Sequence, residues 1–139
     1  MRFVLYTDGA ARGNPGPAAI GVVLSDTHGR EIEAQGRTIG NTTNNVAEYR
    51  ALLFGLERAT QLGATELEIR TDSELMAQQL QGRYKVRAAN LKPLVVEAQK
   101  ALARFSHITI RHIPRILNRQ ADALANAALD ESIPRSRRG

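Results

Sequence analysis

The alternation of apolar and polar positions divides the chain into short strands and longer helices. A nearly continuous apolar run from Phe3 leads to Asp8, which is typical of a strand buried on both faces. Residues 18–25 and 30–39 predict a hairpin joined by a turn at 26–29. Together with the first strand, the hairpin predicts an antiparallel meander.

The pattern then changes to a helical period. Residues 43–62 predict a long helix that Gly63 ends. The remaining elements follow in order: a strand at 64–70, a helix at 73–81, a loop at 83–89, a helix at 91–105, a strand around Ile108 and Ile110, and a helix at 118–129. This β-β-β-α-β-α-α-β-α order predicts an α/β fold with a five-stranded mixed β-sheet flanked by helices.

Composition favours one globular domain. The chain has 139 residues, 42% of them hydrophobic and 24% charged, and it has no cysteine, which excludes disulfides and thiol chemistry. The first apolar run is too short for a signal peptide, and no segment approaches the length of a membrane span. We therefore expect a cytoplasmic protein, a monomer, with no membrane partner.

The charge of the chain favours a polyanionic partner. Its formal net charge is +5 and its pI is near 10.2. Basic side chains concentrate in two short segments, with Arg83, Lys85 and Arg87 in the first and Arg135, Arg137 and Arg138 in the second. Bases around an acidic site fit a metal-dependent enzyme that acts on nucleic acid.

Four acidic residues lie where predicted strands and helices meet. Asp8 is expected to end the first strand with its oxygens facing solvent, and Asp72 follows the fourth strand. Glu48 and Asp122 lie in the first turns of helices. Each has a local alternative: Asp8 as a turn residue, Asn45-x-x-Glu48 as a capping box, Asp72 as an N-cap and Asp122 as a partner of the helix dipole.

The four positions together point to a metal site. Carboxyl ends of strands and N-termini of the following helices gather at one edge of such a sheet, so Asp8 and Asp72 are expected to be neighbours. Their repulsion is normally relieved by a cation, and carboxylate oxygens suit Mg²⁺ or Mn²⁺. Two such ions about 4 Å apart can activate a water and stabilise the leaving oxygen of a phosphodiester.

Five motifs in this order extend over nearly the whole chain: Tyr6-Thr7-Asp8-Gly9-Ala10, Gly13-Asn14-Pro15-Gly16-Pro17, Thr42-Thr43-Asn44-Asn45-x-x-Glu48, Thr71-Asp72-Ser73 and His112-x5-Asn118-x3-Asp122. With them the sequence resembles the type 1 ribonuclease H family, which cuts the RNA strand of RNA/DNA hybrids. The resemblance implies an RNase H-like catalytic domain at 1–131, followed by a basic tail at 132–139. It also implies endonucleolytic, two-metal-ion hydrolysis that leaves 5′-phosphate and 3′-hydroxyl ends.

The resemblance assigns roles to the residues of these motifs. It implies that Asp8, Glu48, Asp72 and Asp122 are catalytic carboxylates that bind two Mg²⁺ or Mn²⁺ ions with substrate present. It implies that His112 assists in proton transfer or product release, although a histidine there can also be incidental. The implied substrate contacts are Gly9, Ala10, Asn14, Thr43, Asn44 and Asn45. For the last three the alternative is helix capping, and we expect one of them to cap.

The sequence also departs from the family. Well-known members carry a basic, tryptophan-bearing protrusion that grips the hybrid, whereas segment 83–90 is short and the chain has no Trp. Tyr84, Lys85 and Arg87 are the local candidates to replace it, and a solvated linker is the alternative. Glu74 stands where better-studied members have an uncharged amide.

Two other classes of function remain open. One is a non-catalytic nucleic-acid-binding module, against which the four carboxylates argue because an anionic pocket repels phosphate unless metal is bound. The other is a domain of a reverse transcriptase or a larger bifunctional protein, although a chain that begins at Met1 favours an independent protein. Double-stranded RNA is a further candidate substrate.

Overall fold

The structure is a computed structural model that describes residues 1–132. The basic positions of the predicted tail, Arg135, Arg137 and Arg138, lie outside the described residues. The elements in chain order are β1 (Arg2–Ala11), β2 (Gly16–Ser25), β3 (Glu31–Thr42), α1 (Asn44–Gln61), β4 (Glu66–Thr71), α2 (Glu74–Leu80), α3 (Lys92–Leu102), β5 (His107–His112) and α4 (Arg119–Ser132), with a 3-10 turn at Arg115–Asn118. This order confirms the one predicted from the sequence.

The five strands form one mixed sheet in the order β3-β2-β1-β4-β5. The β1-β2-β3 meander is antiparallel, whereas β4 runs parallel to both β1 and β5. The parallel pairing of β1 with β4 ends at Thr7 opposite Thr71. The next residues of the two strands, Asp8 and Asp72, are therefore neighbours, as the sequence predicted.

The expectation that Asp8 ends the first strand is wrong. Strand β1 continues to Ala11 because its last residues pair with β2, with Asp8 itself opposite Gly21. Asp8 is also 5% exposed rather than solvent-facing, since elements from both sides of the sheet cover it. The turn that is rich in glycine and proline starts after this extension.

Helices cover both faces of the sheet, with α1 packed on β1 and β2 and α4 packed across β1, β2 and β3. A Cβ atom on Gly9 would lie 2.3 Å from the backbone carbon of Ala47, and one on Gly21 would lie 1.9 Å from the backbone oxygen of Ala121. Two glycines thus allow the helix backbones to touch the sheet just before Glu48 and Asp122. Among residues 1–132, no helix is long and apolar enough to cross a bilayer.

Candidate active site

Three carboxylates converge at the edge of the sheet where the pairing of β1 with β4 ends. One oxygen atom each of Asp8, Glu48 and Asp72 lies within 4.8 Å of the other two. The side chains come from β1, from α1 and from the residue after β4. Secondary-structure elements thus hold two of the three, and the third directly follows a strand.

Glu48 points into this cluster and does not form a capping box. The N-cap of α1 is Thr43, whose hydroxyl accepts a hydrogen bond from the backbone N–H of Val46 at 3.2 Å. The carboxylate of Glu48 accepts instead from the backbone N–H of Gly9. This bond ties α1 to β1 and excludes the capping explanation for Glu48.

Asp72 is likewise free of a capping role. The N-cap of α2 is Ser73, which accepts from the backbone N–H of Met76 at 3.2 Å. Asp72 Oδ2 accepts from Asn118 Nδ2 at 3.0 Å, and the same nitrogen lies 2.8 Å from the backbone oxygen of Thr7. Sequence reasoning placed Asn118 in a motif but missed it as a site residue.

Asp122 lies in the first turn of α4, as predicted. Its charge contributes to the raised pKa of Asp8, although Asp122 is not part of the set that lies within 4.8 Å. Asn126 Nδ2 donates to Asp122 Oδ1 at 3.1 Å. Sequence reasoning missed Asn126, and the signal for it was its position four residues after Asp122 on the same helix face.

Burial and like charges disfavour full ionisation of the cluster. Burial raises the pKa of Asp8 to about 9, and the charges of Glu48 and Asp72 add to this effect. Burial raises the pKa of Glu48 to about 7, although the Gly9 N–H and the more distant charge of Arg115 act in the opposite direction. A divalent cation would relieve this repulsion, and a set of carboxylate oxygens fits Mg²⁺ or Mn²⁺.

The predicted histidine lies beside the cluster. His112 is the last residue of β5, it pairs in register with Thr71, and its side chain is exposed. This placement is next to the strand end that leads to Asp72. Arg115, in the following 3-10 turn, was not predicted as a site residue.

The predicted substrate contacts fall into two groups. The first joins the end of β1 to the start of α1: Asn14 Oδ1 accepts from the backbone N–H of Asn44 at 3.1 Å, and Asn44 Oδ1 accepts from that of Ala11 at 2.9 Å. Gly9, Ala10, Thr43 and Asn45 belong to the same region. The second group, Tyr84, Lys85 and Arg87, lies on the exposed loop between α2 and α3, outside the cluster.

Comparison with known proteins identifies relatives of this chain. Residues 6–128 match the family model described as reverse transcriptase-like. The chain is 46% identical over 131 residues to ribonuclease HI of Halobacterium salinarum, covering 94% of this chain and 66% of that protein. It is 34% identical over 145 residues to ribonuclease H of Legionella pneumophila, covering 94% and 99% of the two chains.

Solved structures agree with these sequence matches. The crystal structure of the Halobacterium salinarum RNase H1 superposes with a TM-score of 0.93 at 45% identity, covering 95% of this chain and 100% of that chain. LC11-RNase H1 in complex with an RNA/DNA hybrid gives a TM-score of 0.90 at 43% identity, with coverage of 95% and 99%.

The fold, the site and the length of the matches identify the family of the chain. The chain belongs to the type 1 ribonuclease H family. It spans 66% of the halobacterial protein and 36% of the mycobacterial proteins that match it at 45% identity. Those relatives therefore contain further sequence to which nothing in this chain corresponds.

The raised pKa of Asp8 predicts how stability depends on pH. Without metal, the folded protein keeps a proton on Asp8 that the unfolded chain loses above about pH 4, so stability falls as pH rises from about 4 to about 9. Asp8→Asn removes the contribution of Asp8 to this pH dependence. At pH 8 in EDTA we expect the variant to melt at least about 4 °C higher than the unmodified protein, because one pKa unit is worth about 1.4 kcal/mol.

Thermal unfolding followed by circular dichroism from pH 4.5 to 9 measures this difference. The difference between the two melting temperatures should be smallest at pH 4.5 and grow toward pH 8, and Mg²⁺ at pH 8 should raise the melting temperature of the unmodified protein. Glu131→Gln, which removes an exposed carboxylate from α4, is the matched control and should leave the pH dependence unchanged. Parallel pH curves for Asp8→Asn and the unmodified protein would contradict the repulsion at Asp8.

Proposed function

We propose that this chain hydrolyses the RNA strand of RNA/DNA hybrids endonucleolytically, leaving 5′-phosphate and 3′-hydroxyl ends. The observation that carries the proposal is the convergence of Asp8, Glu48 and Asp72 within 4.8 Å. Family membership supports the same reaction, and a relative at 43% identity was solved with an RNA/DNA hybrid bound. Double-stranded RNA is a second candidate substrate.

The four carboxylates are the proposed metal ligands. Asp8, Glu48 and Asp72 would hold the ions where their oxygens converge, and Asp122, whose charge acts on Asp8, would complete the set. Two divalent ions, when bound, supply an activated water and stabilise the leaving oxygen of the scissile phosphodiester. Since all four carboxylates come from one chain, we infer that a monomer is sufficient.

The loop after β1 and the start of α1 form the proposed RNA contact. Asn14, Asn44 and Asn45 are exposed amides beside the carboxylates, and amides can both donate to and accept from a 2′-hydroxyl. Thr43 is the N-cap of α1, and we infer that it holds a phosphate of the DNA strand near the helix N-terminus. Gly9 and Ala10 complete this surface as part of β1.

The first activity prediction concerns the ligands. Asp72→Asn keeps the shape of the side chain but replaces one carboxylate oxygen, which can bind metal, with an amide nitrogen, which cannot. Cleavage of the hybrid should therefore fall more than about 100-fold, beyond the loss that is typical when a residue hydrogen-bonded to a metal ligand is removed. The assay uses labelled RNA/DNA hybrid, double-stranded RNA and single-stranded RNA, each with Mg²⁺, Mn²⁺ or EDTA. Asp130→Asn, at an exposed position of α4, is the control.

Near-normal cleavage by a folded Asp72→Asn protein would refute the metal-ligand assignment. Cleavage of the hybrid in EDTA would refute metal dependence. Comparable cleavage of double-stranded RNA would widen the substrate class, because the hybrid and double-stranded RNA share the RNA strand that is cut.

His112 is predicted to assist rather than to bind metal. For His112→Ala we expect a loss of kcat on the order of 10- to 100-fold, since general acid–base assistance is typically worth about that much or somewhat more. Binding of Mn²⁺, measured by calorimetry, should not change. An unaltered kcat would make this exposed histidine incidental, and lost Mn²⁺ binding would make it a ligand.

The loop between α2 and α3 is the proposed replacement for the basic protrusion. Val86 packs against the core, while Tyr84 is 50% exposed and Lys85 and Arg87 are exposed. The apolar anchor at Val86 thus holds an aromatic and two cationic side chains toward solvent. A ring and two cations so placed can contact the backbone and bases of a nucleic acid.

Lys85→Ala combined with Arg87→Ala tests this role in an inactive Asp8→Asn background. Every phosphate that the double variant no longer neutralises should reduce the slope of log affinity for the hybrid against log salt by roughly 0.9. Fluorescence anisotropy across a salt series measures the slope, with Lys100→Ala on α3 as the control. Parallel lines for the double variant and its parent would make the loop a solvated linker.

A further inference from the structure

Three of the four carboxylates have one oxygen held by an N–H donor of the protein. The backbone N–H of Gly9 donates to Glu48 Oε1. The side-chain amide of Asn118 donates to Asp72 Oδ2 at 3.0 Å, and that of Asn126 donates to Asp122 Oδ1 at 3.1 Å.

The two asparagines belong to one segment of the chain. Asn118, Asp122 and Asn126 are spaced by four residues, which places them on one side of α4 and its preceding turn. Asn118 is 1% exposed, and its Nδ2 also lies 2.8 Å from the backbone oxygen of Thr7, the residue before Asp8. One continuous segment, the 3-10 turn and α4, therefore supplies one carboxylate and the amide donors for two.

The chemistry of the donors suits a cation site. A Lys or Arg in place of either amide would hold a carboxylate equally well, but its charge would repel a divalent ion. An amide fixes the oxygen through hydrogen bonds and brings no net charge. Outer partners of metal-ligating carboxylates set the orientation of the ligand, and their loss typically costs about 10- to 100-fold in metal affinity or activity.

We propose that Asn118 and Asn126 are positioning residues that hold Asp72 and Asp122 in the orientation that binds the divalent ions. The proposal rests on the function proposed above and extends it to two residues outside the ligand set. Each amide also bonds to a backbone oxygen, Thr7 for Asn118 and Asp122 for Asn126, so a purely structural role predicts lost stability and unchanged metal binding.

Asn126→Ala separates these two roles. Alanine is the best helix former, so this partly exposed position of α4 should tolerate it without a fall in melting temperature. Asn118→Ala leaves the buried oxygen of Thr7 without its side-chain donor and is expected to destabilise the fold, so it is measured well below its own melting temperature. Gln120→Ala is the matched control, because that amide donates to Glu31, a carboxylate outside the cluster.

Calorimetric titration with Mn²⁺ and Mg²⁺, without substrate, is the primary measurement. We expect both asparagine variants to bind about 10- to 100-fold more weakly and Gln120→Ala to bind like the unmodified protein. In the cleavage assay, the Mg²⁺ concentration for half-maximal rate should rise by a similar factor while KM for the hybrid stays constant.

Unchanged metal binding and unchanged Mg²⁺ dependence in Asn126→Ala would overturn the role of Asn126, and the same result in a folded Asn118→Ala would overturn that of Asn118. These outcomes would leave the proposed function intact if the unmodified protein binds metal and cleaves the hybrid. If the unmodified protein binds no divalent ion, with or without hybrid, the proposed function and this inference both fail.

Discussion

The crowding of three other carboxylates around the buried side chain of Asp8 is the constraint on which the rest of the structure depends. Asp8 is almost fully buried, and Glu48, Asp72 and Asp122 approach it on α1, after β4 and on α4. Close packing at Gly9 and Gly21 allows these helices to come so near. The fold holds like charges together at a cost in stability, which a bound cation can remove.

Two of the carboxylates lie in, or directly after, paired strands at the centre of the sheet. Strand β1 pairs with β4 on one side as far as Thr7 and with β2 on the other. Asp8 lies in the part of β1 that is paired with β2 alone. Asp72 immediately follows the neighbouring strand. Strand pairing fixes the backbone at both positions, and burial together with the charges of Glu48 and Asp72 raises the pKa of Asp8.

Much of this arrangement could be predicted from the sequence because it depends on local patterns. The helical period of 43–62, the apolar runs that lead to Asp8 and Asp72, and the crossover order indicate which side chains meet at one edge. The full length of β1 could not be predicted, because its last residues adopt a strand conformation through their pairing with β2. Helix α3 ends at Leu102 rather than near Phe105 because the chain tightens there into a turn, with Phe105 N–H bonded to the oxygen of Leu102.

The residues that sequence reasoning missed share a physical character. Asn118 and Asn126 are uncharged amides whose partners are set by tertiary contacts and helix geometry, so nothing in their type distinguishes them from caps or surface residues. The carboxylates, in contrast, were recognisable because they lie where predicted strands and helices meet and belong to the motifs of the family. The acidic residues of such a site can be recognised in a sequence by their charge and position. The neutral donors that orient them are recognised once the fold shows which side chains are in contact.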